Sequence, residues 1–333
     1  MMYSCFSGPL DHIDDLYRQK LKGCYAESTK TAFRIQCKGF TDFMEAHKLP
    51  VFPPNVHHVA RYLTIYSTRV TAYGSVANVL SSIKRFYSYC DYKLDVSAPA
   101  IDLLMKALRR QMSQSEKPKA PITPGHLVLI ASLLDASDPT DIAFYAAMLI
   151  QFFSLVRKSN LLPPSFKTYS RFNHLSRRDI KYKDGNLYIT LKWTKTLQNK
   201  DNVFVIPIAS NKNGVLNPVD TYLDFVNRFH VPDNFPAFSL YMSKKLYVLT
   251  QNVYVQKLKF FMSKLNLPVS MFSSHSLRRG GASCMFQSQV PVSMIKAHGT
   301  WRSDCYQRYL SFNNQQKLEP TKKMFSYINS MFS

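Results

Sequence analysis

The chain has 333 residues, 46% of them hydrophobic, and this length is sufficient for two folded domains. Lys and Arg number 43 against 21 Asp and Glu, which gives a formal net charge of +22. Such an excess favours a polyanionic partner, although scattered surface lysines would give the same total. The six cysteines have neither zinc-ligand nor disulfide-framework spacing, and no apolar run reaches membrane-spanning length. We therefore expect free thiols and no membrane partner.

The first part of the chain is predicted to be helical. Apolar periodicity and cap signals indicate helices at about 28–48, after Asn55, from Ser75 to residue 89 and at about 100–112. Asn55 and Ser75 are the predicted N-caps, because their short side chains can accept bonds from first-turn N–H groups. Basic residues lie among aromatic and apolar ones on these helices. This pattern predicts nucleic-acid contacts for Lys84, Arg85, Arg109 and Arg110.

A polar, proline-containing stretch at 113–121 predicts a linker between domains at 1–112 and 122–310. The second domain opens at Thr123-Pro124, a cap residue followed by a first-turn proline. Its predicted helices span residues 124–134, 139–156, 218–229, 251–264, 275–287 and 291–297.

Three antiparallel strands are predicted inside the second domain, at 179–183, 187–193 and 203–208. An Asp184-Gly185 pair separates the first two strands and is typical of a tight hairpin turn. The last residues, 311–333, form a separate tail. In this tail five apolar residues fall at helical spacing on one face, which predicts a helix folded back on its own core: Met324, Phe325, Ile328, Met331 and Phe332.

The chemistry concentrates near the C-terminus, at His275, Arg278, Trp301 and Tyr309. A phenol has a pKa of about 10, so a tyrosine attacks phosphorus at neutral pH only with cations and a proton acceptor beside it. The Arg278 guanidinium can bind two phosphate oxygens and stabilise the added negative charge. His275 lies one helical turn earlier on the same face and can bond the same phosphate or shuttle a proton. A lone His-x-x-Arg is more often a surface pair, so this interpretation depends on further residues.

The pattern W-x-S-D-x-Y-x-R-Y that begins at Trp301, with His-x-x-Arg upstream of it, resembles the tyrosine recombinase (phage integrase) family. The particular form is similar to the recombinases of eukaryotic mobile elements. In those enzymes the second tyrosine is the nucleophile, which implies Tyr309 here, with Tyr306 as the alternative. Trp301 occupies the family's His or Trp position, although an ordinary core role would suit this residue equally well.

The resemblance implies further catalytic residues upstream. The segment FFSLVRKSN is similar to the family's first-arginine motif, with Arg157 as the arginine. The family's acidic residue three positions later is Asn160 here, and its amide oxygen could accept the same hydrogen bond. The family's hairpin lysine corresponds to Lys195, between the second and third strands. Lys192 and Lys200 are weaker candidates for that role, and both are also candidate DNA contacts.

The family's fold is mainly α with a small antiparallel β-sheet, divided into a helical core-binding domain and an α+β catalytic domain that clamp DNA. The resemblance implies an enzyme that cleaves and rejoins DNA through a 3′-phosphotyrosine, with neither metal nor cofactor. Its expected partners are double-stranded DNA and further copies of the chain in a tetramer, which the tail helix would link by docking into a neighbour. The expected location is nuclear in a eukaryotic host and cytoplasmic otherwise.

Three alternatives remain open from the sequence. A type IB topoisomerase uses similar residues but relaxes DNA as a monomer. An inactive DNA-binding descendant of a recombinase would account for Asn160 and for the short interval between Trp301 and Tyr309. A metal-dependent transposase or nuclease is disfavoured, because we find no carboxylate cluster that commits the chain to hydrolysis.

Overall fold

The structure is a computed structural model that describes residues 15–17, 20, 27–113, 119–193, 203–301, 306–307 and 314–332. The chain divides into two compact units, Met1–Pro118 and Lys119–Ser333. Each unit encloses a hydrophobic core of its own, as independently folding domains do.

Between residues 27 and 113 the first unit consists of helices joined by short loops. The helices are α1 (Glu27–Ala46), α2 (Val56–Ser67), α3 (Tyr73–Tyr89) and α4 (Pro99–Gln111). Their apolar faces meet in a core rich in aromatic rings, where Phe40 packs edge-on against Tyr62 and Tyr87. The buried Tyr87 hydroxyl donates to the Val51 carbonyl at 2.9 Å, so its polar atom is satisfied.

One of the two predicted caps in this unit is confirmed and the other is wrong. The Asn55 side chain accepts hydrogen bonds from the amides of His57 at 2.9 Å and His58 at 3.3 Å. Ser75 does not cap α3, because that helix begins two residues earlier, at Tyr73. The Tyr73 amide donates to the Ser113 carbonyl at 2.9 Å, a long-range contact that starts the helix early and that local sequence does not reveal.

The second unit is helical around small antiparallel sheets. Its elements are α5 (Pro124–Leu133), α6 (Pro139–Ser154), α7 (Lys158–Leu161), β1 (Ile180–Lys183), β2 (Asn186–Leu191), β3 (Phe204–Ile208), α8 (Pro218–Arg228), β4 (Ser239–Met242), β5 (Lys245–Val248), α9 (Gln251–Lys264), α10 (Ser274–Gln287), α11 (Val292–His298) and α12 (Asn314–Phe332). Short 3₁₀ turns at Arg177–Asp179 and Val269–Met271 precede β1 and α10. The predicted Thr123 cap is confirmed, since its hydroxyl accepts from the His126 amide at 3.2 Å.

The three predicted strands form one antiparallel sheet in the order β1-β2-β3. Asp184 and Gly185 both have positive φ, 51° and 80°, as the tight turn requires. The second hairpin, β4-β5, was not predicted from the sequence. Its turn residues, Ser243 and Lys244, also have positive φ but lack the Asn-Gly or Asp-Gly signature, which explains why this hairpin was missed.

The core of the second unit is organised around α6. Most of its residues are buried, including small ones such as Ala143, Ala146 and Ala147 that allow neighbouring elements to approach closely. Helices α8 and α10 and strand β3 pack on it. A helix that is apolar on nearly every side belongs at the centre of a domain. The packing of neighbouring elements therefore holds the C-terminal end of α6 in place.

The tail helix α12 begins at Asn314, ten residues before the predicted apolar stripe. Four stripe residues are exposed, Met324 at 60%, Phe325 at 65%, Ile328 at 42% and Met331 at 63%. The predicted burial of this stripe against the chain's own core is therefore wrong for these four side chains. Among the described residues, no helix combines the length and apolar character needed to cross a membrane.

Candidate active site

The candidate site is built on the C-terminal end of α6. Leu155 adopts a left-handed conformation with φ of 56° and ends the helix, and the chain then turns sharply into the one-turn helix α7. Arg157 is the residue immediately before α7. Its carbonyl accepts from the amides of Asn160 at 2.9 Å and Leu161 at 3.0 Å, which fixes the backbone that carries the predicted first arginine.

Two glycines allow α10 to pack closely, Gly281 against this helix end and Gly280 against the segment that precedes α5. A Cβ atom on Gly280 would lie 1.8 Å from the Ile122 carbonyl oxygen, and one on Gly281 would lie 2.1 Å from the Phe152 carbonyl oxygen. Both distances are far shorter than any real contact, so the approach requires residues that lack a side chain. The sequence RRGG thus places the His-x-x-Arg turn of α10 beside the end of α6.

Arg278 is buried in this junction, with 2% of its surface exposed. Its Nη1 donates to the Leu155 carbonyl, and its Nη2 donates to the Gly299 carbonyl at 2.6 Å. The guanidinium carbon lies 4.1 Å from the centre of the Trp301 ring. The planar guanidinium therefore joins the end of α6 to the turn after α11. It also packs on Trp301, the residue at the family's His or Trp position.

His275 lies in the first turn of α10, where its amide donates to the Ser273 hydroxyl at 3.2 Å. Its ring is exposed on one side, yet surrounding protein atoms displace enough water to lower its pKa below the usual 6.5. The positive charges of Arg278, Arg157 and Lys158 lower that pKa further. Three cations from two elements therefore act on one imidazole, which is neutral at neutral pH.

Trp301 and Tyr306 belong to a small apolar cluster beside the main core. Trp301 is 5% exposed and Tyr306 is 8% exposed, and their ring centres are 6.3 Å apart. Leu155, Ala282 and Ile295 complete the cluster. Burial of the Tyr306 ring suits a packing role for this residue. Tyr309, the predicted nucleophile, lies outside the described residues.

The predicted hairpin lysine, Lys195, and its alternative Lys200 also lie outside the described residues. Lys192 is described, and its ammonium is 2.5 Å from a carboxylate oxygen of Asp179 and 3.4 Å from the Arg171 carbonyl. The structure thus gives Lys192 a carboxylate partner at the end of β2.

Asn160 donates hydrogen bonds in the structure, whereas the sequence suggested that its amide oxygen would accept one. This residue is 2% exposed, and its side-chain Nδ2 donates to the carbonyls of Trp193 at 2.7 Å and Asn173 at 3.3 Å. A carboxylate could not make these bonds, because it has no hydrogen to donate. The contacts of Asn160 are thus made by its nitrogen, and they join the Arg157 turn to the end of β2.

Sequence reasoning missed several polar residues that hold this helix end. The Gln151 amide donates to the Val156 carbonyl at 3.1 Å and accepts from the buried Tyr254 hydroxyl at 2.7 Å. His298 contacts the Phe153 carbonyl through Nε2 at 2.8 Å. None of these residues belongs to a spacing motif, so only the spatial arrangement identifies them.

The predicted nucleic-acid contacts of the first unit are placed on helix surfaces. Lys84, Arg109 and Arg110 are exposed, whereas Arg85 is half-buried and its guanidinium contacts the Ser81 hydroxyl at 3.1 Å. Three of the four side chains are thus accessible to a ligand.

No protein-family model matches this sequence. A curated protein of Selenomonas ruminantium, an integrase/recombinase xerD homolog, is 20% identical over 316 residues, which cover 93% of this chain and 89% of that protein. At this identity the match is distant, although it extends over nearly the whole of both chains.

Solved structures with a similar fold include three DNA complexes. The integrase of transposon Tn1549, in complex with circular intermediate DNA, is 14% identical, with a TM-score of 0.60 over 92% of this chain and 98% of that one. The XerH site-specific recombinase bound to its difH substrate has a TM-score of 0.58 at 14% identity, over 87% and 78% of the two chains. A lambda integrase dimer bound to a core site has a TM-score of 0.55 at 14% identity, over 90% and 94%.

These similarities confirm two of the sequence predictions. The chain is mainly α with small antiparallel sheets, and it has the two-domain fold of the tyrosine recombinases. The resemblance drawn from the order of Arg157, His275, Arg278 and Trp301 was therefore correct about the fold.

Proposed function

We propose that this chain, which has the fold of the tyrosine recombinases, is a site-specific recombinase or integrase that cleaves and rejoins DNA through a 3′-phosphotyrosine intermediate. The observation that carries the proposal is the cationic cluster at the end of α6. There Arg278 donates to the carbonyl of Leu155, two residues before Arg157. The positive charges of Arg157, Lys158 and Arg278 all lower the pKa of His275. A cluster of this kind beside the first turn of a helix favours the negative charge of a phosphate.

In the proposed reaction the phenolic oxygen of Tyr309 attacks the scissile phosphorus. A bond forms between tyrosine and phosphorus, the bond from phosphorus to the 5′ oxygen breaks, and a free 5′-hydroxyl end leaves. Arg157 and Arg278 stabilise the charge that develops on the non-bridging oxygens. The bond energy stays in the phosphotyrosine, so the rejoining step needs no nucleotide, and an incoming 5′-hydroxyl reverses the chemistry.

Proton transfer is assigned to two further residues. His275, neutral because its pKa is lowered, can accept the phenolic proton of Tyr309 or donate a hydrogen bond to the phosphate. Trp301 braces the buried Arg278. Lys195 gives a proton to the departing 5′ oxygen. A positioned general acid contributes about 10²- to 10⁴-fold to the rate.

The proposed partners are duplex DNA and other copies of this chain, two duplexes being exchanged within a tetramer. The exposed Lys84, Arg109 and Arg110 suit contacts to phosphates. The exposed apolar stripe of α12 suits docking into a neighbouring protomer. The proposed location follows the host, nuclear in a eukaryote and cytoplasmic otherwise.

The test uses DNA from the ends of a candidate element, with a nick placed beside the scissile phosphate so that the cleaved fragment diffuses away and the covalent complex accumulates. The reaction is run with a chelator. We expect a protein–DNA adduct from the wild type and from Tyr306→Phe, provided that the latter folds, and no adduct from Tyr309→Phe.

Other outcomes would redirect the proposal. An adduct that depends on Tyr306 instead of Tyr309 would move the nucleophile. An adduct without strand exchange between two duplexes would favour topoisomerase chemistry, and tight DNA binding without any adduct would favour an inactive descendant. The relatives named above are recombinases and integrases, which favours strand exchange.

A further inference from the structure

The end of α6 leaves carbonyl oxygens that the helix itself cannot satisfy. The last turn of any helix has such carbonyls, and α6 ends at Leu155, which has a left-handed conformation. Phe153 lies in this last turn, and its carbonyl oxygen is 2.8 Å from Nε2 of His298. A carbonyl oxygen only accepts hydrogen bonds, so the Nε2 atom must carry the proton.

The contact between His298 and Phe153 joins two segments that carry proposed site residues. His298 is the last residue of α11, three residues before Trp301, and Phe153 lies four residues before Arg157. The contact therefore ties the segment that leads into Trp301 to the helix end that leads into Arg157.

A second contact joins the same two segments directly beside the first. The Arg278 guanidinium bonds the carbonyls of Leu155 and Gly299, the residues that come two after Phe153 and one after His298. The two segments are thus held at two adjacent points, one made by arginine and one by histidine. Arg278 is also a proposed phosphate ligand, whereas the partner of His298 is a backbone carbonyl.

We propose that His298 is a positioning residue for DNA cleavage, holding the turn that carries Trp301 in register with the arginine-bearing end of α6. The proposal rests on the function proposed above and assigns His298 no contact with DNA. A displacement of about 1 Å in such a support can cost about 10²-fold in rate, so its loss acts on the chemical step and leaves DNA affinity unchanged.

The experiment compares His298→Gln with His298→Leu. Glutamine keeps an N–H donor at the end of a side chain of similar reach, whereas leucine fills the space without a donor. Adduct formation on the nicked substrate and DNA affinity are measured for both variants. We expect cleavage by His298→Leu to be about 10- to 100-fold slower and cleavage by His298→Gln to stay within about threefold of the wild type. Affinity should change less than about twofold in each.

A second readout does not depend on catalysis. The chain has two tryptophans, Trp193 and Trp301, so Trp193→Phe leaves Trp301 as the only indole emitter. In this background we expect His298→Leu to shift the emission of Trp301 to the red and to increase its quenching by acrylamide, because the buried ring becomes wetter. His298→Gln should leave both properties unchanged.

Each result decides a separate question. Equal cleavage by the wild type and His298→Leu, with an unchanged Trp301 spectrum, would overturn the positioning role. Equal losses in the leucine and glutamine variants would assign His298 to packing rather than to hydrogen bonding, which also overturns it. If the wild type forms no adduct at all, the proposed function fails, and the fluorescence comparison alone then decides whether His298 holds the Trp301 segment.

Discussion

The side chains at the end of α6 and those along the tail helix α12 are buried to very different extents. At the junction Arg278 is 2% exposed and Trp301 is 5% exposed, and the guanidinium of Arg278 has specific carbonyl partners. In the tail, Met324 and Phe325 are 60% and 65% exposed. Residues of the chain itself bury the junction. The apolar surface of the tail helix, in contrast, is not covered by any other described residue.

This difference predicts different responses to substitution. Replacements at the junction should change both folding stability and chemistry, because buried polar atoms lose partners or closely packed backbones are forced apart. Replacements in the tail should change association between copies and leave the folding of a single chain nearly intact, since exposed side chains contribute little to it.

Arg278→Lys should have the largest effect. Lysine carries the charge but cannot bond the Leu155 and Gly299 carbonyls together or stack its plane on Trp301. We expect adduct formation to fall about 10²- to 10³-fold and the free energy of unfolding to fall by about 1–3 kcal/mol. Nicked-substrate kinetics and urea denaturation measure the two effects. Arg279→Lys is the matched control, and an equal loss there would mean that any arginine-to-lysine change in this helical turn is damaging, rather than loss of the specific contacts of Arg278.

Gly281→Ala should be the next most damaging change. The added methyl would lie 2.1 Å from the Phe152 carbonyl oxygen and 2.6 Å from a Leu155 methyl, so α10 must move away from α6. Overpacking of this kind costs about 1–3 kcal/mol, which thermal unfolding would detect. Gly125→Ala is the control, because its nearest neighbour, the Thr123 hydroxyl, is an ordinary 3.7 Å away. Similar melting temperatures for the two variants would contradict the close approach.

The sequence was informative where a local rule or a motif spacing determined the result. Asn55 and the Asp184-Gly185 turn obey local backbone rules, and the order of Arg157, His275 and Arg278 led to the correct fold. It was uninformative where a contact joined distant segments. The start of α3 at Tyr73 depends on Ser113, 40 positions further along the sequence, and His298 contacts Phe153 across 145 positions.

Asn160→Asp tests a smaller feature of the junction. The family's usual acidic residue would here lose two donated bonds, to Trp193 and Asn173, and would bury a carboxylate beside their oxygens. We expect the free energy of unfolding to drop by about 1–3 kcal/mol at neutral pH.

The same variant should show a defined pH dependence. Burial beside carbonyl oxygens raises the pKa of the new carboxyl above its unfolded value of about 3.9. The protonated form, which can donate one bond, is populated increasingly as the pH falls, so the deficit should be smaller at acidic than at neutral pH. Asn211→Asp, at an exposed amide that also donates to a carbonyl, is the control and should cost little. A deficit that stays constant with pH would contradict the donor role of Asn160.

The tail should give the smallest effect on stability and the clearest effect on assembly. Ile328→Glu places a charge in the middle of the exposed stripe, which Met324 and Met331 flank at helical spacing. Because the side chain is already exposed, we expect the free energy of unfolding to change by less than about 0.5 kcal/mol. If the stripe docks into a second copy, higher-order complexes on DNA should disappear while binding of single copies persists. Gel-shift and light-scattering measurements distinguish these species.

Ser330→Glu is the matched control, because it adds the same charge to the opposite face of α12. There the exposed Ser330 hydroxyl donates to the Tyr327 carbonyl of its own helix. Loss of assembly in both variants would indicate that charge anywhere on the tail is disruptive, and the apolar stripe would then have no specific role. Loss of stability in Ile328→Glu would indicate that the stripe packs on its own chain in solution, which would restore the fold-back arrangement expected from the sequence. The tail depends on a partner only if Ile328→Glu folds normally, binds DNA as a single copy and fails to form higher-order complexes. The junction at the end of α6, in contrast, is buried by residues of its own chain.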